Sequence, residues 1–401
     1  MRLLIVNSFY PSPLVPRIIG GAEVFARQLA EFFVSEGDEV EIIRVATTPN
    51  QVPETCNGVS IYSAPVRTPH PAFARPRRAP GRFLWHILDD WGKAAALISE
   101  RIRAFRPDVL HSNNLSGLTT DVWQAARTHG IPIVHTLHDY YLTCPRCSRF
   151  SKGSACVDTC TSCNLLTINR KRLAQNVNAV VGVSQRILDI HTHLGLFSHT
   201  PIKTVIRNAS QALDIANAPE RKLTPPVFGF IGRLTEEKGI DLLVKAIASL
   251  PSHSVSLVIA GKTNDSEMQR LKALAPDADI KFLGFVAPSE FYRQVDVVVI
   301  PSLWEEPGAL AAVEAMAVNK PVLGTPFGGL PEVIQDGVTG WIAKPDLNSF
   351  SEVIAGIVRS PQIIATITQT LQARVERRTF ADVAVHYRDV YRRAMTTEQR
   401  N

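Results

Sequence analysis

Two glutamates eight positions apart, Glu306 and Glu314, bracket small apolar residues in the run PSLWEEPGALAAVEAMA, residues 301–317. Carboxylates so placed suit three roles: a catalytic acid–base pair, two grips on one ligand, or a helix cap followed by an ordinary surface side chain. Pro307 fits a helix start, and on a helix rising ~1.5 Å per residue the two would stand ~12 Å apart and about 80° around the axis. Paired glycosidase carboxylates lie ~5–9.5 Å apart, so this spacing argues against an acid and base sharing one bond. It fits two ends of an extended ligand better. Glu314 is also the sole charged residue between Glu306 and Lys320, and a carboxylate on so apolar a segment needs a partner.

Three glycine-bearing turns offer anion sites. In IIGGAEVFARQLAEFFVSEG (18–37), Gly20 and Gly21 permit positive φ and a close approach of ligand to backbone. The helix that follows offers free N–H groups, although a plain helix-entry turn explains a lone Gly-Gly equally well. In FIGRLTEEKGIDLLVKAI (230–247), Arg233 and Lys238 lie on the loop before a helix opening near Gly239. Two cations beside a helix N-terminus suit a diphosphate and the charge that develops on a leaving phosphate. The alternative is two solvent-facing cations beside Glu236 and Glu237. In FGGLPEVIQDGVTG (327–340), Gly328 and Gly329 precede Pro331, a natural first helical residue.

The elements that position these loops form two series. Strands are expected at 2–7, 39–45, 108–113, 131–137 and 179–184, then at 227–233, 254–261, 280–285, 295–302 and 320–326. Near-continuous apolar strands spaced by helical patterns indicate parallel sheets covered on both faces. The chain thus reads as α/β, with two Rossmann-like doubly wound domains: residues 1–207 and, after the linker-like NASQALDIANAPERKLTPP (208–226), residues 208–379. Ligands in such sheets bind beyond the strand C-terminal ends, so the expected site is a cleft between two facing sheets. A C-terminal segment, 380–401, contains an amphipathic helix expected to pack back toward the first domain.

Composition narrows the class. The 401 residues are 45% hydrophobic and 20% charged, ordinary for a globular chain of two domains. No apolar run reaches the ~18–20 residues of a membrane span, and the N-terminus reads as a first strand rather than a signal peptide. The expectation is a cytoplasmic protein. Residues 1–205 hold 22 basic and 15 acidic side chains, with Arg67, Arg75, Arg77, Arg78 and Arg82 clustered. Such a basic region suits an anionic membrane surface or an anionic acceptor, or is simply a solvated loop. No nucleic-acid-binding module is present, so no nucleic-acid partner is expected.

Taken in order, Gly-Gly-Ala-Glu after the first strand, GRLTEEKG, PSLWEEPGALAAVEAMA and GGLPEVIQDGVTG resemble the retaining glycosyltransferases of family 4, the group 1 glycosyltransferases, which have the GT-B fold. The resemblance spans nearly the whole chain. It implies transfer of a sugar from a UDP- or GDP-sugar to a saccharide or lipid-linked acceptor, as in exopolysaccharide, lipopolysaccharide or other cell-surface glycan assembly, without a metal or other cofactor. By the same resemblance Arg233 and Lys238 hold the donor diphosphate, Glu306 contacts the donor sugar, and Glu314 binds the ribose. Gly20 and Gly21 close over the phosphates, the backbone of Gly308, Ala309 and Leu310 cradles the donor, and His138 lies near the transferred sugar. The family usually reads E-P-F-G-L where this chain has Glu306-Pro307-Gly308-Ala309-Leu310, and an Asn-Gly-Val turn becomes Asn208-Ala209-Ser210. The altered motif keeps a second class in view: a catalytically weak or inactive GT-B scaffold that binds a saccharide or a partner.

Five of the six cysteines fall in CPRCSRFSKGSACVDTCTSC, 144–163, with Cys56 apart. The spacing resembles a zinc loop, with unligated thiols, a disulfide or an iron–sulfur centre as alternatives. Some family members carry a similar cysteine loop that usually lacks a counterpart of Cys147. That implies a structural zinc on Cys144, Cys156, Cys160 and Cys163, in an insertion near the acceptor side.

Overall fold

A computed structural model describes residues 1–13, 20–46, 52–65, 79–92, 94–210, 224–374 and 378–398, and gives only the helical backbone for Ala79, Pro80, Arg82 and Glu398. The cluster Arg67, Arg75, Arg77, Arg78, the Arg82 side chain and most of the 208–226 linker lie outside the described residues. The chain divides into two compact units. One comprises Met1–Arg149, Val157–Asn208 and Phe380–Asn401; the other comprises Phe150–Cys156 and Ala209–Thr379.

In the first unit the strands are β1 (Arg2–Val6), β2 (Glu39–Ala46), β3 (Glu54–Cys56), β4 (Val59–Pro65), β5 (Val109–Ser112), β6 (Ile133–Leu137), the small hairpin strands β7 (Phe150–Ser151) and β8 (Ser154–Ala155), β9 (Ala179–Gly182) and β10 (Ile202–Val205). The hairpin belongs to the second unit. The others form one sheet in the order β10-β9-β6-β5-β1-β2-β4-β3, parallel except for β3 against β4. Leu3, Leu4, Ile5 and Val6 are all fully buried, which only a central strand covered on both faces achieves. The strand order reverses between β1 and β5, and Asn7, Ser8, Asn113 and Asn114 follow those strands.

The helix Phe380–Glu398 completes this unit. Tyr391 Oη lies 2.7 Å from His111 Nδ1, His111 Nε2 lies 2.8 Å from Thr136 Oγ1, and that hydroxyl lies 3.1 Å from Tyr387 Oη. A chain of bonds therefore ties the last helix to β5 and β6.

The second unit has β11 (Val227–Ile231), β12 (Ser256–Ala260), β13 (Asp279–Gly284), β14 (Val297–Ile300), β15 (Val322–Gly324) and β16 (Gly340–Ile342), all parallel in the order β13-β12-β11-β14-β15-β16. Its core has two layers, one under the helices Ile240–Ala248 and Leu347–Arg359, the other under Leu310–Ala317. Here the order reverses between β11 and β14, and a doubly wound sheet opens its ligand crevice at such a reversal. Among the described residues no helix is long and apolar enough to cross a membrane.

Candidate active site

The loops leaving β11 and β14 meet at that reversal. After β11 comes a single 3₁₀ turn, Glu236–Lys238, then Gly239 and the helix Ile240–Ala248. Gly239 has φ +70°, and a Cβ there would strike the Pro301 carbonyl, so glycine lets the two loops touch. Leu303 N–H donates to the Glu237 carbonyl at 2.9 Å. Lys238 Nζ thereby reaches both carboxylate oxygens of Glu306, at 2.8 and 2.9 Å. Ser302 Oγ and Trp304 Nε1 also donate to Glu306 Oε2, each at 2.9 Å, and the ammonium lies 5.1 Å from the Trp304 ring centroid. Burial pulls the Glu306 carboxyl pKa upward, but the Lys238 charge and these bonds outweigh it, so the group sits below its ordinary value.

Arg233 is different. More than half its side chain is exposed, and its ion pair to Glu237 is long at 3.6 Å. Such a surface pair is worth little, which leaves the guanidinium available.

The third loop closes against the second. Gly328, at φ +64°, sits so tightly on the Glu306 backbone that a side chain would overlap it. Gly328 N–H donates to Glu305 Oε2 at 2.7 Å and Gly329 N–H to the Glu306 carbonyl at 2.8 Å. The helix expected beyond Gly329 is one 3₁₀ turn, Leu330–Glu332.

The stretch between the two glutamates differs from expectation. The helix starts at Leu310, not Pro307, so Glu306 stands on a loop and the helical ~12 Å spacing does not apply to it. The cause lies in Ala309, whose φ of +42° and ψ of +42° turn the chain just before the helix. The left-handed residue is thus the alanine, while Gly308 beside it has ordinary φ. The Ala312 and Val313 N–H groups both donate to the Ala309 carbonyl, at 2.8 and 3.2 Å, which closes the first turn of the helix.

Glu314 is buried on that helix, and Tyr292 Oη donates to its Oε2 at 3.1 Å. Burial raises its pKa to about 7 despite that bond. Glu306 is a paired anion and Glu314 a carboxyl poised near neutrality, so the two have different environments.

In the first unit, Gly20 and Gly21 do not use glycine's freedom as expected. Gly20 is extended at φ −168°, and Gly21 opens the helix Gly21–Ser35. The Glu23 carboxylate accepts from Gly20 N–H at 2.6 Å, so an acidic side chain already caps this helix start.

His138 follows β6. Its Nε2 lies 3.0 Å from Asn113 Oδ1, and its ring packs 4.8 Å from that of Phe25. An amide oxygen only accepts, so Nε2 carries the hydrogen and Nδ1 keeps its lone pair. Burial lowers the His138 pKa to about 3 and keeps the ring neutral. Asn113 is buried, and its Nδ2 has no partner among the described residues. His111 and His135 are buried in the sheet and bonded to Thr136 and Ser112.

The four-cysteine zinc set is not assembled. Among the described residues no group of three or more His, Cys, Asp or Glu side chains is placed to hold a metal. Cys144 is buried, whereas Cys160 is exposed at the start of the helix Thr161–Leu165 with its Sγ 3.3 Å from Ser162 Oγ. Cys156 ends the hairpin segment that groups with the other unit. A bond between the Cys163 and Cys144 thiols lowers the Cys144 pKa to about 5 and raises that of Cys163.

Asn113, Ser302, Trp304, Glu305 and Tyr292 were not singled out from the sequence. Ser302, Trp304 and Glu305 lie inside the motif itself, in Pro301-Ser302-Leu303-Trp304-Glu305-Glu306, where the proximity to Glu306 is the available signal. Asn113 and Tyr292 carry no local signal, since tertiary contact alone brings them to His138 and Glu314.

Known proteins match along the chain. Residues 19–207 match the family model for glycosyltransferase family 4, and residues 213–370 that for glycosyl transferases group 1. A Klebsiella pneumoniae protein, described as an uncharacterized 42.6 kDa protein in the cps region, is 33% identical over 337 residues, 83% of this chain and 87% of its own. Sucrose-phosphate synthase from Thermosynechococcus elongatus is similar in fold, with a TM-score of 0.74 at 19% identity over 99% of both chains. Anabaena Alr3699/HepE, solved in complex with UDP and glucose, has a TM-score of 0.68 at 20% identity over 97% of this chain and 99% of its own. With two strand-order reversals carrying the motif loops, and family models matching in turn along both parts, the chain belongs to the group 1 glycosyltransferases of the family 4 type, with the GT-B fold.

Proposed function

We propose that this protein is a retaining hexosyltransferase that moves a sugar from a UDP- or GDP-sugar to a saccharide or lipid-linked saccharide in cell-surface glycan biosynthesis. It would work on the cytoplasmic side, at the inner face of the membrane. The observation that carries the reading is the Lys238–Glu306 pair at the β11/β14 reversal, beside the exposed Arg233. Two of the three Lys238 ammonium hydrogens can be assigned to Glu306, which leaves one for a donor phosphate oxygen. Arg233 adds a second cation for charge developing on the leaving diphosphate. Glu306, largely buried and anionic, accepts from donor sugar hydroxyls, and Glu314 from the ribose. In this reading Gly20 and Gly21 close over the donor phosphates, and the backbone from Gly308 to Leu310 cradles the donor. Neutral His138 offers Nδ1 as an acceptor to the transferred sugar.

Attack on the same face as departure retains the anomeric configuration. A donor phosphate oxygen takes the acceptor hydroxyl's proton as the new glycosidic bond forms and the sugar–phosphate bond breaks. No side-chain base and no metal is then needed. The test is thermal stabilisation by a panel of UDP-, GDP- and ADP-sugars, followed by transfer assays with chelator present and NMR of the product's anomeric coupling. Stabilisation by one nucleotide sugar with transfer and retained configuration is expected. Binding without turnover would favour the scaffold reading, and an inverted product would overturn the mechanism.

A further inference from the structure

Tyr292 closes the short helix Pro288–Tyr292, just before β14, and its placement begins in the neighbouring strand. A Cβ on Gly229 of β11 would strike the Phe291 ring and the Val295 side chain, so the bare backbone there makes room for Phe291. Phe291 in turn packs edge-on against Tyr292, with 5.2 Å between ring centroids. Both rings are fully buried in the apolar layer under the helix Leu310–Ala317. A phenol enclosed in this way needs a partner for its hydroxyl.

The next helix supplies two. Tyr292 Oη lies 3.1 Å from Glu314 Oε2 and 3.2 Å from the Ala311 carbonyl oxygen. With Glu314 protonated, the carboxyl O–H donates to Oη and the phenol hydrogen goes to Ala311. With Glu314 ionised, the phenol hydrogen turns to Oε2. Oε2 is held to Tyr292 in both states. Oε1 has no hydrogen-bond partner among the described residues, yet it is not sealed from solvent as the unpaired Asn113 Nδ2 is. The phenol thus keeps one edge of the carboxyl in the core and the other at the opening.

We propose that Tyr292 is a positioning residue for the donor nucleotide: by holding Glu314 Oε2 it aims Oε1 at the ribose hydroxyls. This role rests on the reading that Glu314 takes the ribose, and adds the residue that orients it.

A carboxylate accepts ribose hydroxyls more strongly than a neutral carboxyl, because the bonds are charge-assisted. Burial holds the Glu314 pKa at about 7, and the Tyr292 bond is what pulls it down. The layer around this helix comes from β11, β12, β14, β15, the turn Leu330–Glu332 and the helix Gln362–Arg374, and is built of apolar side chains and Tyr292. Arg233, Lys238 and Glu306 on the motif loops do not shift the carboxyl either. Loss of the phenol hydrogen bond therefore raises the pH at which the anion forms, whereas a ribose bound at Oε1 lowers it and expels the proton.

The test is titration calorimetry of the full chain and its variants with UDP-glucose and GDP-mannose, neither of which titrates near neutrality. Runs across pH, in two buffers of different ionisation heat, give affinity and the protons released. Wild type is expected to bind one probe more tightly as pH rises through about 7, releasing a proton below that midpoint. Tyr292→Phe should bind about tenfold more weakly around neutrality, with its midpoint about one pH unit higher and kcat at saturating donor unchanged. A 3-fluorotyrosine placed at 292, nearly the same shape but a stronger donor, should move the midpoint down instead, and it carries the test should Tyr292→Phe fail to fold. Glu314→Gln should show a flat profile and release no proton. A flat wild-type profile, midpoints that stay with wild type when residue 292 is changed, or a Glu314→Gln protein that still releases the proton overturns the positioning role and leaves the donor site standing. A wild type that binds neither probe at any pH overturns the role together with the donor-site reading beneath it.

Discussion

Lys238 and Glu306, 68 residues apart, form a two-pronged ion pair with Nζ 2.8 and 2.9 Å from the carboxylate oxygens. It fastens the loop after β11 to the loop after β14, so one contact serves both the architecture and the candidate donor site. Removing the lysine leaves a largely buried carboxylate with two neutral donors only. We expect Lys238→Ala to cost about 2–3 kcal/mol, below the figure for a fully buried pair because part of Lys238 is exposed. The double variant Lys238→Met/Glu306→Gln should recover most of that stability and none of the transfer. Arg233→Ala should leave stability within about 0.5 kcal/mol while lowering kcat by roughly a hundredfold or more. Urea unfolding and steady-state kinetics on the four proteins separate the two effects.

Ala309 holds a left-handed backbone at φ +42° in a buried position. Glycine would relieve about 1–2 kcal/mol of strain, offset by roughly 0.8 kcal/mol for the lost buried methyl. Ala309→Gly should therefore raise stability slightly, by about 0.5 kcal/mol. Ala309→Val, with a branched Cβ in the same conformation, should lower it clearly. Thermal melts of both check the sign.

Glu314 gives a pH signature. Burial raises its folded pKa to about 7 from an ordinary carboxylate value, with Tyr292 pulling weakly the other way. Between those values the folded state holds a proton that the unfolded state has released. This residue's contribution is thus most favourable at low pH and is lost as pH rises through about 7. Glu314→Gln should match wild type near pH 4.5 and exceed it at pH 8 by on the order of 3 kcal/mol. The same variant should bind a UDP-sugar more weakly, which calorimetry measures.

His138 is kept neutral by burial, with its Nε2–H directed to Asn113. The titratable groups electrostatically coupled to it, His111 and His135, are also held neutral by burial. Asn113→Asp would place a carboxylate at Nε2 and raise the His138 pKa, protonating Nδ1 as pH falls. Transfer by the variant should decline at a pH where wild type is flat, in kcat more than in KM. Asn113→Ser, able to accept the same bond without charge, should restore the flat profile. A pH–rate profile of the three proteins decides it.

Much of this was legible in the sequence because it is local. Alternating apolar strands and helices specified two doubly wound units, since a strand buried on both faces must be apolar at consecutive positions, as Leu3 to Val6 are. Arg233, Lys238 and Glu306 stood out because charged residues on glycine-rich loops next to strand ends have few structural uses. The tertiary structure decided what depends on residues far apart in sequence. It paired Lys238 with Glu306, placed Tyr292 on Glu314, gave His138 its tautomer through Asn113, and moved the helix start from Pro307 to Leu310 by a left-handed Ala309. It also left the cysteines unassembled as a metal group and turned Phe83, Leu84, Leu88 and Trp91 outward. That last outcome reverses the rule that a surface helix hides its apolar face. Periodicity finds such a face but not its direction, which here is fixed by Arg170, about eighty residues away, pairing with the buried Asp89 and Asp90.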